Sequence, residues 1–267
     1  MNEHPSKLHK LRTMHLFAGA GGGLLADLLL GHQPVCAVEI EPYCQQVLSA
    51  RQKDGVLPWF PIFDDVTTFD GTPWRGKVDV ISGGFPCPDF SNANQSDSRQ
   101  SGLDGERGSL WHETARIIGE VRPTKCFLEN VTGLIRLGLP TVLSDLYRLG
   151  YDARWCVLGS RDTGGVHKRE RVWIYAFHAD SNGLQAHQSF YTNVQATNGD
   201  TKKCRNLAGA NRVDGVRGYV DPCIAGKNDA VAFALDRFKA IGNGQDATVA
   251  ALAWRILSGL NEKEHTT

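Results

Sequence analysis

Thr13-Met14-His15-Leu16-Phe17-Ala18-Gly19-Ala20-Gly21-Gly22-Gly23-Leu24-Leu25-Ala26-Asp27-Leu28-Leu29-Leu30 is the stretch that decides the architecture. Thr13–Phe17 reads as a strand, the glycine cluster as a tight turn, and Leu24–Leu30 as a helical run. The alternation continues outward. Val35–Val38 reads as a second strand and Tyr43–Ala50 as a second helix, and a third strand ends near Asp64–Val66. Val78–Ser82 is an apolar strand flanked by Lys77 and Gly83-Gly84. Ser109–Val121 has helical spacing with Ser109 as its N-cap. Cys126–Leu128 reads as a strand, Thr141–Leu149 as a helix, and Arg154–Leu158 and Val172–Phe177 as strands. Such alternation predicts an α/β fold with a doubly wound, mostly parallel sheet.

Composition changes after Phe177. Ala179–Asp229 is rich in Asn, Gly, Asp, Thr and Gln and poor in apolar runs, so a small irregular lobe or insertion is expected there. Val249, Leu252, Ala253, Ile256 and Leu260 recur at helical spacing, which predicts an amphipathic helix over Asp246–Leu260 returning to the core. The division is therefore a main domain over 1–177, a variable region over 178–236 and a return segment over 237–267, with Asn261–Thr267 frayed.

The 267 residues, 41% of them apolar, suit one large domain with a small appended lobe. Met1–Arg12 is polar and basic, unlike a signal peptide. Leu24–Leu30 is broken by Asp27 and too short to span a bilayer, so a soluble intracellular protein is expected. Seven scattered cysteines without a CxxC pair disfavour a zinc site and a disulfide framework. Net charge is zero, yet Ser160–Val220 holds nine Lys/Arg against five acids, leaving the remainder at −4. That excess suits phosphate contacts and a solvated face equally.

The chemistry-bearing residues fall at strand ends, where ligands lie in open α/β sheets. The glycines of Phe17–Gly23 let backbone approach a ligand, and the helix N-terminus beyond offers free N–H groups. Their spacing differs from the GxGxxG of dinucleotide binders, and a plain tight turn would use the same residues. Glu39 ends the second strand, where an acid can accept both hydroxyls of a ribose. Asp65 follows the third, where it could accept from an adenine amine.

Gly83-Gly84-Phe85-Pro86-Cys87-Pro88-Asp89-Phe90-Ser91 follows the fourth strand. Two prolines fix the direction of the Cys87 thiol, and a helix N-terminus or nearby cation would favour its thiolate. A structural cysteine more often lies inside an apolar run, as Cys126 does. Glu129, in Phe127-Leu128-Glu129-Asn130-Val131, ends an apolar strand, where desolvation raises a carboxyl pKa and suits proton donation. A capping acid would occupy the same place. In His167-Lys168-Arg169-Glu170-Arg171-Val172, residues two apart on a strand share a face, so Arg169 and Arg171 should point together at a phosphate, carboxylate or base edge. A solvated edge strand would read alike. Ala240-Ile241-Gly242-Asn243-Gly244-Gln245 is a turn that would bring the chain back to the pocket.

Taken in order, Phe17–Gly21, Pro86-Cys87, Glu129-Asn130-Val131, Arg169-x-Arg171 and Gly242-Asn243 resemble the motifs of the DNA cytosine-5 methyltransferase family. The resemblance covers Met14–Phe177 and Arg237–Leu260, and the ordered set is specific where no single motif is. It implies a Rossmann-like, S-adenosylmethionine-dependent methyltransferase domain with a small target-recognition lobe. A cytosine would be flipped out of the duplex into a pocket. Cys87 would add to ring carbon 6, Glu129 would hold and protonate N3, Asn130 would position Glu129, and Arg169 and Arg171 would contact the base and the site. S-adenosyl-L-methionine would be held by Phe17, Ala18, Gly19, Gly21, Gly22, Glu39, Ile40, Asp65, Val66, Pro86, Leu110 and Asn243, with Trp111 beside Leu110 on its adenine side. Double-stranded DNA would meet Ser91, Arg99, Lys168, Lys202, Lys203 and Arg205, and the polar loop Ser91–Gly108 resembles the family's mobile loop. No metal is implied. A cytoplasmic, DNA-associated monomer with a companion restriction endonuclease is expected.

The chain departs from the family pattern at His167, where Gln is usual, and at Phe85, where Pro is common. Its variable region is short, which predicts a short recognition site, modest specificity or help from a partner. Three rival readings exist: a tRNA methyltransferase with the same motifs, a non-catalytic binding homologue, and a dehydrogenase-like nucleotide binder. The second has no use for Cys87, and the third leaves Pro86-Cys87 and Glu129-Asn130-Val131 unexplained.

Overall fold

The structure, a computed structural model, describes residues 10–86, 109–178 and 244–259. β1 (Arg12–Leu16) leads through the glycine turn into α1 (Gly22–Leu30), and β2 (Gln33–Val38) into α2 (Pro42–Lys53). Then come β3 (Ile62–Phe63), β4 (Val80–Gly84), α3 (Ser109–Val121), β5 (Lys125–Val131), α4 (Leu134–Leu137) and α5 (Leu139–Arg148). β6 (Tyr151–Leu158), β7 (Arg171–His178) and α6 (Ala247–Ser258) complete the described elements.

The strands form one seven-stranded sheet in the order β3-β2-β1-β4-β5-β7-β6. β1 to β5 pair in parallel, while β7 runs antiparallel between β5 and β6. The sheet is thus mostly parallel, as the alternation predicts. The reversal at β7 has a local cause. A 3-10 turn at Ser160–Thr163, rather than a crossover helix, links β6 to β7, and adjacent antiparallel strands need no crossover. The winding direction changes between β1 and β4, so the turn after β1 and the turn after β4 open on one crevice.

Each face of the sheet carries its own core. Met14, Leu16, Ile81 and Leu128 pack with Trp111, Ile117 and Leu146 from α3 and α5. On the other face Phe127 stacks on Trp173 at 5.4 Å between ring centroids, and Trp254 of α6 presents its edge to Phe127 and Tyr175 at 5.3 and 5.2 Å. These rings fix α6 across the sheet beside α1, at geometries aromatic pairs prefer.

Several boundaries shift for identifiable reasons. Pro42 at the first turn lets α2 begin ahead of Tyr43. Ser109 is itself helical rather than an N-cap. Asp246 is the N-cap of α6, its carboxylate accepting from the Thr248 and Val249 N–H groups, and Gly259 at φ 79° ends that helix at Ser258. The short α4 lies ahead of the expected Thr141–Leu149 helix, which starts at Leu139.

Candidate active site

The turn after β1 is built around an acid from β2. Phe17 adopts φ 53° and Gly19 φ 55°. A left-handed bulky residue is uncommon and marks an over-determined turn. Glu39, buried at the end of β2, accepts from the Gly19 N–H through Oε2 at 2.6 Å and from the Glu41 N–H through Oε1 at 2.8 Å. Gln45 of α2 donates to the Glu39 carbonyl at 2.6 Å. Each carboxylate oxygen keeps a lone pair for a further donor. A Cβ on Gly19 would meet nothing within 4 Å, and the first turn of α1 has Gly21 as N-cap with no side-chain cap. An acid with spare acceptors, an open backbone face and an uncapped helix N-terminus fit an adenosine ligand carrying a carboxylate. Gly22 serves packing: its Cβ position lies 2.0 Å from the Gln245 carbonyl oxygen, so only glycine seats the return segment there.

The second wall is the carboxyl edge of β4 and β5. Gly84 pairs with Glu129 in the parallel ladder, and a Cβ on Gly84 would lie 2.6 Å from Glu129 Oε2. The glycine leaves the carboxyl its space. Glu129 is 7% exposed, and Arg171 Nε meets its Oε1 at 2.9 Å. Arg171 lies opposite Val131, diagonal to Glu129 on the same face. Burial pushes the Glu129 carboxyl up to about 7, against the downward pull of Arg171 and Arg169. A buried acid titrating near neutrality can deliver a proton at neutral pH.

The amide of Asn130 reaches the turn after β4. Its Nδ2 donates to the Phe85 carbonyl at 2.9 Å, and its Oδ1 accepts from the Val131 N–H at 2.8 Å. It pins the root of the Phe85-Pro86 turn, directly ahead of Cys87 in the chain. Arg169 differs from expectation: β7 begins at Arg171, and Arg169 precedes it at φ 24°, so strand alternation does not align the pair. Arg169 Nη2 donates to the Gly244 carbonyl at 2.6 Å, tying it to the return segment. Burial and the neighbouring Arg171 depress the Arg169 guanidinium pKa.

The other expected site residues are spread unevenly. Asp65 is half-buried, and its Oδ1 accepts from the Thr67 N–H at 2.8 Å. Val66 is buried, and its carbonyl accepts from Arg116 Nη2 of α3 at 2.7 Å. Ala18 and Gly21 lie in the first turn, Ile40 is exposed at the crevice rim, and Pro86 and Leu110 are half-buried. Trp111 corrects the expectation of an adenine-side residue. It is wholly buried, donates to Asp145 Oδ2 at 2.9 Å and underlies Phe85 at 5.1 Å. Lys168 is exposed and pairs with Glu170 at 3.2 Å. Cys87, Ser91, Arg99, Lys202, Lys203, Arg205 and Asn243, with the Ser91–Gly108 loop and the 178–236 lobe, lie outside the described residues save His178, which ends β7. The sequence signals neither the bond from Gln45 to the Glu39 carbonyl six residues back nor, beyond a returning turn, the contacts of Gln245 with Gly22 and Gly23.

Fold and edge together define a Rossmann-like methyltransferase domain. The fold is shared with Entamoeba histolytica methyltransferase EhMeth at 13% identity and TM-score 0.64, covering 95% of this chain and 100% of that one. Spodoptera frugiperda DNMT2 matches at 18% identity and TM-score 0.51, covering 66% and 51%. The family model for C-5 cytosine-specific DNA methylase matches residues 11–228, and the chain belongs to that family. Type II methyltransferase M.NgoMIV of Neisseria gonorrhoeae is 34% identical over 168 residues, 61% of this chain and 51% of that protein. The chain spans about half the length of the curated relatives it matches.

Proposed function

We propose that this protein transfers a methyl group from S-adenosylmethionine to carbon 5 of a flipped-out cytosine in DNA, through a covalent bond between Cys87 and ring carbon 6. The observation that carries the reading is the buried Glu129–Arg171 pair beside the Gly84–Pro86 turn, with an acid titrating near 7. Family membership supplies the substrate class.

When bound, S-adenosylmethionine supplies an electrophilic methyl group. Glu39, the Phe17–Gly21 turn, Asp65 and Asn243 would hold that cofactor. The Cys87 thiolate adds its electron pair to carbon 6 while Glu129 gives its proton to N3, so the ring becomes a neutral enamine. Arg171 keeps the Glu129 carboxyl directed at the base. Carbon 5 would take the methyl group as its bond to the cofactor sulfur breaks, and would then lose its proton to solvent water. Re-forming the 5,6 double bond expels the thiolate, and N3 returns its proton to Glu129. Asn130 holds the Phe85-Pro86 backbone so that Cys87 enters from a fixed direction. Cys36 and Cys126 offer a contrast, since burial pushes the Cys36 thiol up to about 12 and raises that of Cys126. Neither yields thiolate near neutral pH. Action as a monomer and a companion restriction endonuclease belong to the same proposal.

Tritiated methyl transfer to duplex DNA and, separately, to tRNA tests the substrate. Label recovered as 5-methylcytosine from DNA alone supports the reading. Recovery from tRNA alone, or in neither, defeats it.

A further inference from the structure

Gln245, directly behind Gly242-Asn243-Gly244, lies between the two walls of the crevice. Its Oε1 and the Nδ1 of His15 lie 2.6 and 3.0 Å from the Cβ position of Gly23, on the α1 side. Its Nε2 faces the other wall, 3.5 Å from the Cβ position of Gly84, and Glu129 Oε2 lies 2.6 Å from that same position. Gln245 Nε2 is buried and has no hydrogen-bond partner among the described residues. A buried donor without an acceptor is costly, so such a group calls for one within reach. Glu129 Oε2 shares the Gly84 Cβ position with that donor, while Oε1 takes Arg171.

We propose that Gln245 is a positioning residue for Glu129, its Nε2 turning from the unpaired position described to donate to Glu129 Oε2 across Gly84 and hold the carboxyl toward the crevice. The role in methyl transfer rests on the function proposed above; the contact itself does not. The charged groups facing Glu129 are Arg171 at the start of β7 and Arg169 ahead of it, while β4 presents only glycine there. Arg171 meets Oε1 and Arg169 is tied to the Gly244 carbonyl, so Gln245 is the donor assigned to Oε2. Donation to an acid favours its ionised form.

The test follows the Glu129 carboxyl by carbon-13 NMR titration of the full chain, its signal assigned by its loss in Glu129→Gln. In Gln245→Leu the midpoint is expected to rise by about 0.5 to 1 in pH, the worth of one hydrogen bond. Gln245→Glu keeps the size and replaces the donor with a like charge, so it raises the midpoint as well and serves if the leucine variant fails to fold. A midpoint within about 0.2 of wild type in the folded variants, less than one hydrogen bond supplies, overturns the proposal. Lowered thermal stability with an unmoved midpoint overturns it too, because a merely structural residue would act that way. Methyl transfer is measured alongside: a wild type inactive on DNA defeats the functional reading, whereas the titration judges the contact.

Discussion

At Glu129 burial and charge act in opposite directions, and burial wins: the carboxyl titrates at about 7 against an ordinary 4.5. Between those values the folded chain holds a proton that the unfolded chain has released. Stability from this group is therefore complete below pH 4.5 and falls as pH rises to about 7. The loss is on the order of 3 kcal/mol. Glu129→Gln should abolish that slope in denaturant titrations across the interval, and should lower methyl transfer at least about 10²-fold. Asp27 behaves oppositely. Burial alone would raise its carboxyl, but His15, with hydrogen bonds from His32 and Thr13, holds it at about 2. Its contribution is present above the ordinary 3.8 and is lost as pH falls toward 2. Asp27→Asn leaves His15 at 2.6 Å and His32 at 3.2 Å facing an uncharged partner, and chemical denaturation at neutral pH should show a loss of about 3 kcal/mol.

At the scale of elements, the seam between α1 and the return segment joins parts of the chain more than two hundred residues apart. Gly22→Ala places a methyl group 2.0 Å from the Gln245 carbonyl, against backbone that cannot swing aside. We expect a loss of about 1–3 kcal/mol, read as a lower Tm, together with weaker cofactor binding as the turn shifts. This seam also marks where sequence reading ends. The glycine cluster was legible as a turn because its signal is local. That Gly22 serves packing was not, because its partner is residue 245. Glu129 was legible as a desolvated acid from the apolar strand before it. The amide of Asn130 reaching Phe85, the burial of Trp111 and the direction of β7 all depend on which elements become neighbours, and composition does not carry that information.

Among the described residues, one sheet is closed by a helix from late in the chain. Trp254, Leu252 and Leu257 of α6 complete the core face that holds Phe127, Trp173 and Tyr175. A chain ending at residue 243 would leave that face open to water, and we expect it to lose the cooperative thermal transition of the full chain. The alternation of strands and helices showed this architecture in advance, and the late apolar periodicity showed the returning helix, because each rests on local patterning. The alignment of crevice walls around Glu129 rests on long-range closure and became visible only in three dimensions.

If Cys87 attacks cytosine while Glu129 protonates it, covalent trapping will reveal the bond. The protein is incubated with S-adenosylmethionine and duplex DNA carrying 5-fluorocytosine in many sequence contexts, beside a Cys87→Ser control. Fluorine at carbon 5 cannot leave as a proton does, so the final elimination stops. The expected result is an adduct that survives denaturation, requires the cofactor and is absent in Cys87→Ser. A folded, cofactor-binding protein that forms no adduct, or a serine variant that forms one equally well, would contradict it.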